Sequence, residues 1–239
     1  MVETWQTKPS ELADVPASNR RDSYRMSILK VFAGFVPWIV FSFVAERTGP
    51  GAVATAGFLA FLVAAVFIVH SLLRGEAPKV LEVTGAIAFA GVAIASVLDP
   101  AADAFLTAYG QSIATWTLAI VIFVMLPIMP FTEQYARESV PREYWHTPQF
   151  RSINRRISAV WGVAIASMAA GHLLSALFSY AEAGTTVPNR PVDLVFDWIL
   201  PILLSWWAVR YTIKASKAAD HAAPPDPGRT TDARSDRTA

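Results

Sequence analysis

The residues that could do chemistry in this chain are few, and most lie where ionisable groups are expensive. His172 sits inside the apolar run from about Ile157 to Tyr180, the fifth such run in the sequence. At 1.5 Å per residue it is roughly 22 Å along from Ile157. An ionisable group at membrane depth is suited to a proton relay or a ligand contact. The competing reading is a neutral imidazole hydrogen-bonded to a neighbouring helix. The helical period places Trp161, Ile165, Ala169, Ala176 and Ser179 on its face, and small residues there favour close helix packing. No second intramembrane acid or base stands out at a similar depth.

Other polar residues extend the candidate set. Glu82 lies at the inner end of the third run, three residues from Lys79, a spacing that permits a local ion pair; the alternative is a carboxylate lining a vestibule. His70, one turn from Arg74, reads as interfacial. Gln111 and Thr115 share a face at the polar start of the fourth run, with Tyr109, Ser112 and Thr117 nearby. They suit a cavity wall or interhelical hydrogen bonding. His172, Glu82, Gln111 and Thr115 form the candidate intramembrane polar site.

The stretch PFTEQYARESVPREYWHTPQFRSINRR follows the fourth run. Glu133 and Arg137 stand at i, i+4, so the fourth helix is expected to continue past the membrane until Pro141. Tyr144 and Trp145 suit the headgroup layer. Arg137, Arg151, Arg155 and Arg156 are candidate contacts for anionic lipid heads or a partner. Glu133, Glu138 and His146 lack the tight spacing of a metal motif such as HExxH, so no catalytic, cofactor or metal site is assigned.

The elements that must position these residues follow from composition. Charged residues make up 16% of the 239-residue chain, against roughly 25% in soluble domains. A bilayer core about 30 Å thick takes roughly 20 apolar residues as a helix. Six blocks qualify: about Ser27–Ala45, Ala52–Leu73, Val80–Leu98, Phe105–Phe131, Ile157–Tyr180 and Val192–Thr212. The expected fold is an all-α transmembrane bundle of about six spans over residues 27–214. A polar segment (1–26) precedes it, a central cytoplasmic loop (about 132–156) interrupts it, and a disordered tail (215–239) follows. The first block starts too late for a cleavable signal peptide.

Lysines and arginines set the expected orientation. They crowd the N-terminal segment, the second and fourth loops and the C-terminal end, whereas only Arg47 and Arg190 fall on the other side. Retention of positive residues in the cytoplasm puts both ends inside and makes this a multi-pass protein of the plasma (inner) membrane. Its expected partners are the bilayer, anionic heads at the cytoplasmic face and other membrane proteins. A net charge of +1 gives no reason to expect nucleic acid. The absence of cysteine excludes disulfides, cysteine-ligated zinc and thiol chemistry.

Pro37, Pro127 and Pro201 interrupt the first, fourth and sixth blocks. Matching prolines in two inverted halves mark some transporter sites; ordinary kinks are the plainer account.

The segment Phe32-Ala33-Gly34-Phe35-Val36-Pro37-Trp38-Ile39-Val40-Phe41, the Ala-rich second block, Lys79 and Glu82 at the third, and the loop from Pro141 to Asn154-Arg155 followed by Trp161 resemble the intracellular septation protein A family of bacterial inner-membrane proteins. The likeness spans about Phe32–Tyr180; this chain is longer at both ends and in the central loop. It implies a role in cell-envelope maintenance or division through membrane and protein contacts, with no catalytic residues to carry over. The alternative expectation is a small transporter or channel using the polar site near His172. A cavity reaching His172 would favour transport, and a tightly packed bundle the contact role.

Overall fold

The computed structural model describes residues 32–46, 51–138, 140, 142–181 and 190–222. Among them it contains helices and no strands. The helix α1 (Phe32–Ala45) is followed by α2 (Ala52–Leu73), α3 (Val80–Leu98) and α4 (Pro100–Met125). A short α5 (Phe131–Ala136) and a 3-10 turn (Arg142–Tyr144) lead into α6 (Pro148–Ala181). The last helix begins as α7 (Arg190–Asp193), passes through a π-helical segment (Leu194–Ile199) and continues as α8 (Leu200–Ala222). Five helical stretches are long and apolar enough to cross a membrane, and α1 is a shorter apolar helix. The N-terminal part of the first block lies outside the described residues, as does the tail beyond Ala222.

The connections explain the packing. Asp99 alone separates α3 from α4, and its side chain caps the new helix by accepting from the Ala101 N–H at 2.8 Å. Pro100 occupies the first helical position, where its missing N–H removes nothing. So short a joint forces neighbouring helices to run antiparallel. The α2–α3 pair crosses at Gly57, where an added Cβ would lie 2.9 Å from the Ala93 backbone nitrogen. Ala56, Ala60 and Ala64 continue that buried face. Without water to drive burial, such small residues let backbones approach and gain dispersion contacts. Bulky residues such as Val66, Ile87, Val97 and Ile202 face outward, as lipid-facing positions should.

An aromatic core holds α1 at the centre. Phe35 stacks on Trp161 of α6 at 5.2 Å and meets Phe131 of α5 edge-on at 5.7 Å. On the other flank Phe41 and Trp38 each lie 4.9 Å from Phe89 of α3.

Three sequence expectations change here. The fourth helix does not run on to Pro141. It ends at Met125, because Pro127 and Pro130 remove backbone donors and clash with the preceding turn. Pro127 therefore terminates α4 and does not kink it. The Glu133–Arg137 pair does form, at 2.6 Å, but within the separate α5. This helix folds back into the bundle, burying Phe131, Thr132, Glu133 and Tyr135. Thr132 anchors it: its hydroxyl donates to the Asn154 carbonyl at 3.0 Å and lies 2.8 Å from the Ser158 hydroxyl. The stretch 132–156 is accordingly largely helical, since α6 starts already at Pro148. At about 51 Å by its 34 residues and the helical rise, α6 is longer than a bilayer core. Its first turns project, with Arg151, Arg155 and Arg156 exposed.

Candidate functional site

His172 lies one residue beyond Gly171. A Cβ at Gly171 would stand 2.9 Å from a Leu200 methyl and 3.3 Å from the Phe196 ring. Glycine thus lets α6 press against the π-helical segment. That contact delivers Asp197: its Oδ1 lies 2.7 Å from His172 Nδ1, with the imidazole almost fully buried. Ser175, one turn along α6, donates toward Asp197 Oδ2 at 2.8 Å and lies 3.0 Å from Asp193 Oδ1. One hydroxyl hydrogen cannot serve both carboxyls.

The π-helical segment has a local cause. Pro201 has no N–H to give the carbonyl of Asp197, four residues earlier. The Leu200 N–H bonds instead to Val195, five residues back. Single π turns of this kind are common at functional sites, and here the extra residue turns Asp197 toward α6.

Glu46 completes the group from the end of α1. Its carboxylate lies beside the side chains of Gln111 and Trp198. Partial burial, and then the charge of Asp197, push its carboxyl above the ordinary glutamate range. Glu46 sits at the mouth of a cavity of about 410 Å³ whose polar lining includes Gln111, Thr115, His172 and Asp197. Its floor is aromatic and aliphatic, with Phe35, Trp38, Trp161 and Ile165 among its walls. A second lobe of about 350 Å³ shares Glu46, Gln111, His172 and Asp197, and adds Ser112, Ser175 and Asp193. Ser112 also ties α4 to α6 by donating to the Ala169 carbonyl at 3.2 Å.

Of the sequence candidates, His172, Gln111 and Thr115 therefore share one cavity. Glu82 does not join them. It lies at the opposite end, where it accepts from the Lys79 backbone N–H at 3.3 Å. The Lys79 ammonium turns to Glu138 at 2.6 Å and Glu76 at 3.9 Å, so the pairing expected from the i, i+3 spacing is not the one formed. The Val80 N–H bonds to the side chain of Gln134 of α5 at 2.9 Å.

Sequence reading found no acid at the depth of His172, and the structure corrects this: Asp197 is there. Asp193 and Asp197, four residues apart within the block Val192–Thr212, were the available signal. Arg137 is held by Glu133 and lies 4.9 Å over the Trp145 ring, with Arg142 on that ring at 5.7 Å. Tyr144 is exposed. Among the described residues, no group of three or more acids and histidines is arranged to hold a metal ion.

Comparison with known proteins found no matching family model, no matching curated protein and no matching solved structure.

Proposed function

We propose that the chain is an inner-membrane protein of six spans, both ends cytoplasmic, that binds a small solute in the cavity beside His172 and moves it across the bilayer with exchange of protons. The observation that carries this reading is the cavity itself. It reaches the His172–Asp197 pair, whereas a protein acting only by surface contacts has no need of such a space. The chemistry fits proton exchange. Glu46, His172, Asp193 and Asp197 supply four titratable groups from the end of α1, α6 and the last helix. Gln111 and Ser112 of α4 add hydrogen-bonding partners that do not titrate.

Proteoliposomes loaded with a pH-sensitive dye test it. Wild-type protein should pass protons under an imposed pH gradient faster than protein-free vesicles, and His172→Ala and Asp197→Asn should each slow this by about tenfold or more, in the range of lost proton-transfer groups. Flux equal to that of empty vesicles, with His172→Ala retaining full activity in cells, would remove the support.

A second reading, envelope maintenance through contacts as the septation-family resemblance implies, is favoured by one observation. Arg151, Arg155 and Arg156 stand exposed on the projecting start of α6. Each basic residue near an anionic surface is worth about 1 kcal/mol, so replacing all three by glutamine should weaken retention of anionic lipid by up to about 3 kcal/mol. Unchanged lipid retention and unchanged division in cells carrying that variant would exclude this role for the face.

A further inference from the structure

We propose that the cavity takes a monovalent organic cation with an apolar body, its charge held by Asp197 and Glu46 and its body laid on the aromatic floor. This rests on the reading that the cavity binds a solute. Charge comes first. Glu46 and Asp197 line both lobes, and among the described residues no lysine or arginine lines either. The single basic side chain there, His172, is already engaged with Asp197. Asp197 is half-buried and Glu46 stands at the exposed mouth, so two carboxylates face one histidine, and a cationic ligand supplies the charge that balances them.

The walls then choose the kind of cation. Phe43 and Trp198 meet edge-on at 6.3 Å beside Glu46, and Trp38, Phe35 and Trp161 continue inward. Aromatic faces attract organic cations and pack their apolar parts. A bare metal ion would need several converging oxygen or nitrogen ligands, and the acids and histidine of the described residues do not converge in that way. An anion would meet the two carboxylates. A sugar would leave most of its hydroxyls against rings. The volume of about 410 Å³ lies within the range of sites for drug-sized molecules.

Two probes of matched shape and opposite charge decide the matter: tetraphenylphosphonium and tetraphenylborate, titrated into the purified full chain in detergent. Binding to protein-free micelles is subtracted, and the fluorescence of the cavity tryptophans is the readout. The phosphonium should bind saturably and the borate should not. Asp197→Asn should weaken the phosphonium by about thirtyfold, as for a buried charge pair losing one partner, and Glu46→Gln at the exposed mouth by about fivefold. The comparison of the two probes on the wild-type chain holds even where a variant fails to fold. Borate binding as tightly as phosphonium, or folded variants binding phosphonium as wild type does, overturns the cation assignment and leaves a solute cavity standing. Neither probe binding, together with no proton flux in vesicles, overturns both.

Discussion

Tyr135 shows how much one contact can decide. Its side chain is almost fully buried, and its hydroxyl has no partner among the described residues. Burial, and then the charges of Glu82 and Glu138, push the phenol far above its ordinary range, so it stays neutral. The ring end rests against Gly34 of α1, where a Cβ would stand only 1.9 Å from the hydroxyl oxygen and 2.9 Å from the ring carbon that bears it. Gly34→Ala should therefore force Tyr135 and α5 outward and lower stability by about 1–3 kcal/mol, as overpacking does. Tyr135→Phe removes an unsatisfied buried hydroxyl and should leave stability unchanged or raised, and it should relieve part of the Gly34→Ala loss. Thermal unfolding of the three variants in detergent measures this. An innocuous Gly34→Ala, or a Tyr135→Phe variant that unfolds well below wild type, would show that α5 does not dock as described.

Helix registers set the site at the next scale. Pro201 denies Asp197 its ordinary hydrogen bond, and the π turn that results aims the carboxylate at His172. Pro201→Ala restores the donor and lets the segment tighten to α-helical spacing, which rotates Asp197 by about one residue's 100° on the helix surface. Phosphonium binding should then fall nearly as far as in Asp197→Asn, with the chain still folded. Binding at the wild-type level would mean that the π turn does not place Asp197.

The same elements show what could be read from residues alone. His172, Gln111 and Thr115 were legible as a polar set because each stood out against an apolar block. Asp197 escaped because its partner lies twenty-five residues away on another helix, and no local spacing pairs them. Glu46 directly follows the first apolar block in the sequence, and its role depends on Gln111 and Trp198 arriving from α4 and the last helix. The Glu133–Arg137 pair was legible from its spacing. Its helix was assigned to α4 because the pair does not reveal that Pro127 and Pro130 have already broken the chain away.

Across the whole molecule, the design is an aromatic column around α1 that packs tightly against α3, α5 and α6 at one end and opens between α1, α4, α6 and the last helix at the other. The ion pairs of Lys79 with Glu138 and of Arg137 with Glu133 sit with α5 at the packed end. The acid and histidine cluster sits at the open end. Positive residues crowd the packed end, and the proposed topology, with both ends in the cytoplasm, therefore puts that end inside and the cavity outside. The most direct measurement uses the fact that the chain has no cysteine. Thr115→Cys on the cavity wall and Ala119→Cys, fully buried one turn deeper on the same helix, can each be exposed to a membrane-impermeant thiol reagent added outside intact cells. Thr115→Cys should be modified, Ala119→Cys should not, and prior tetraphenylphosphonium should protect Thr115→Cys. No modification of Thr115→Cys from outside, or equal modification of both cysteines, would contradict an outward-open cavity beside His172.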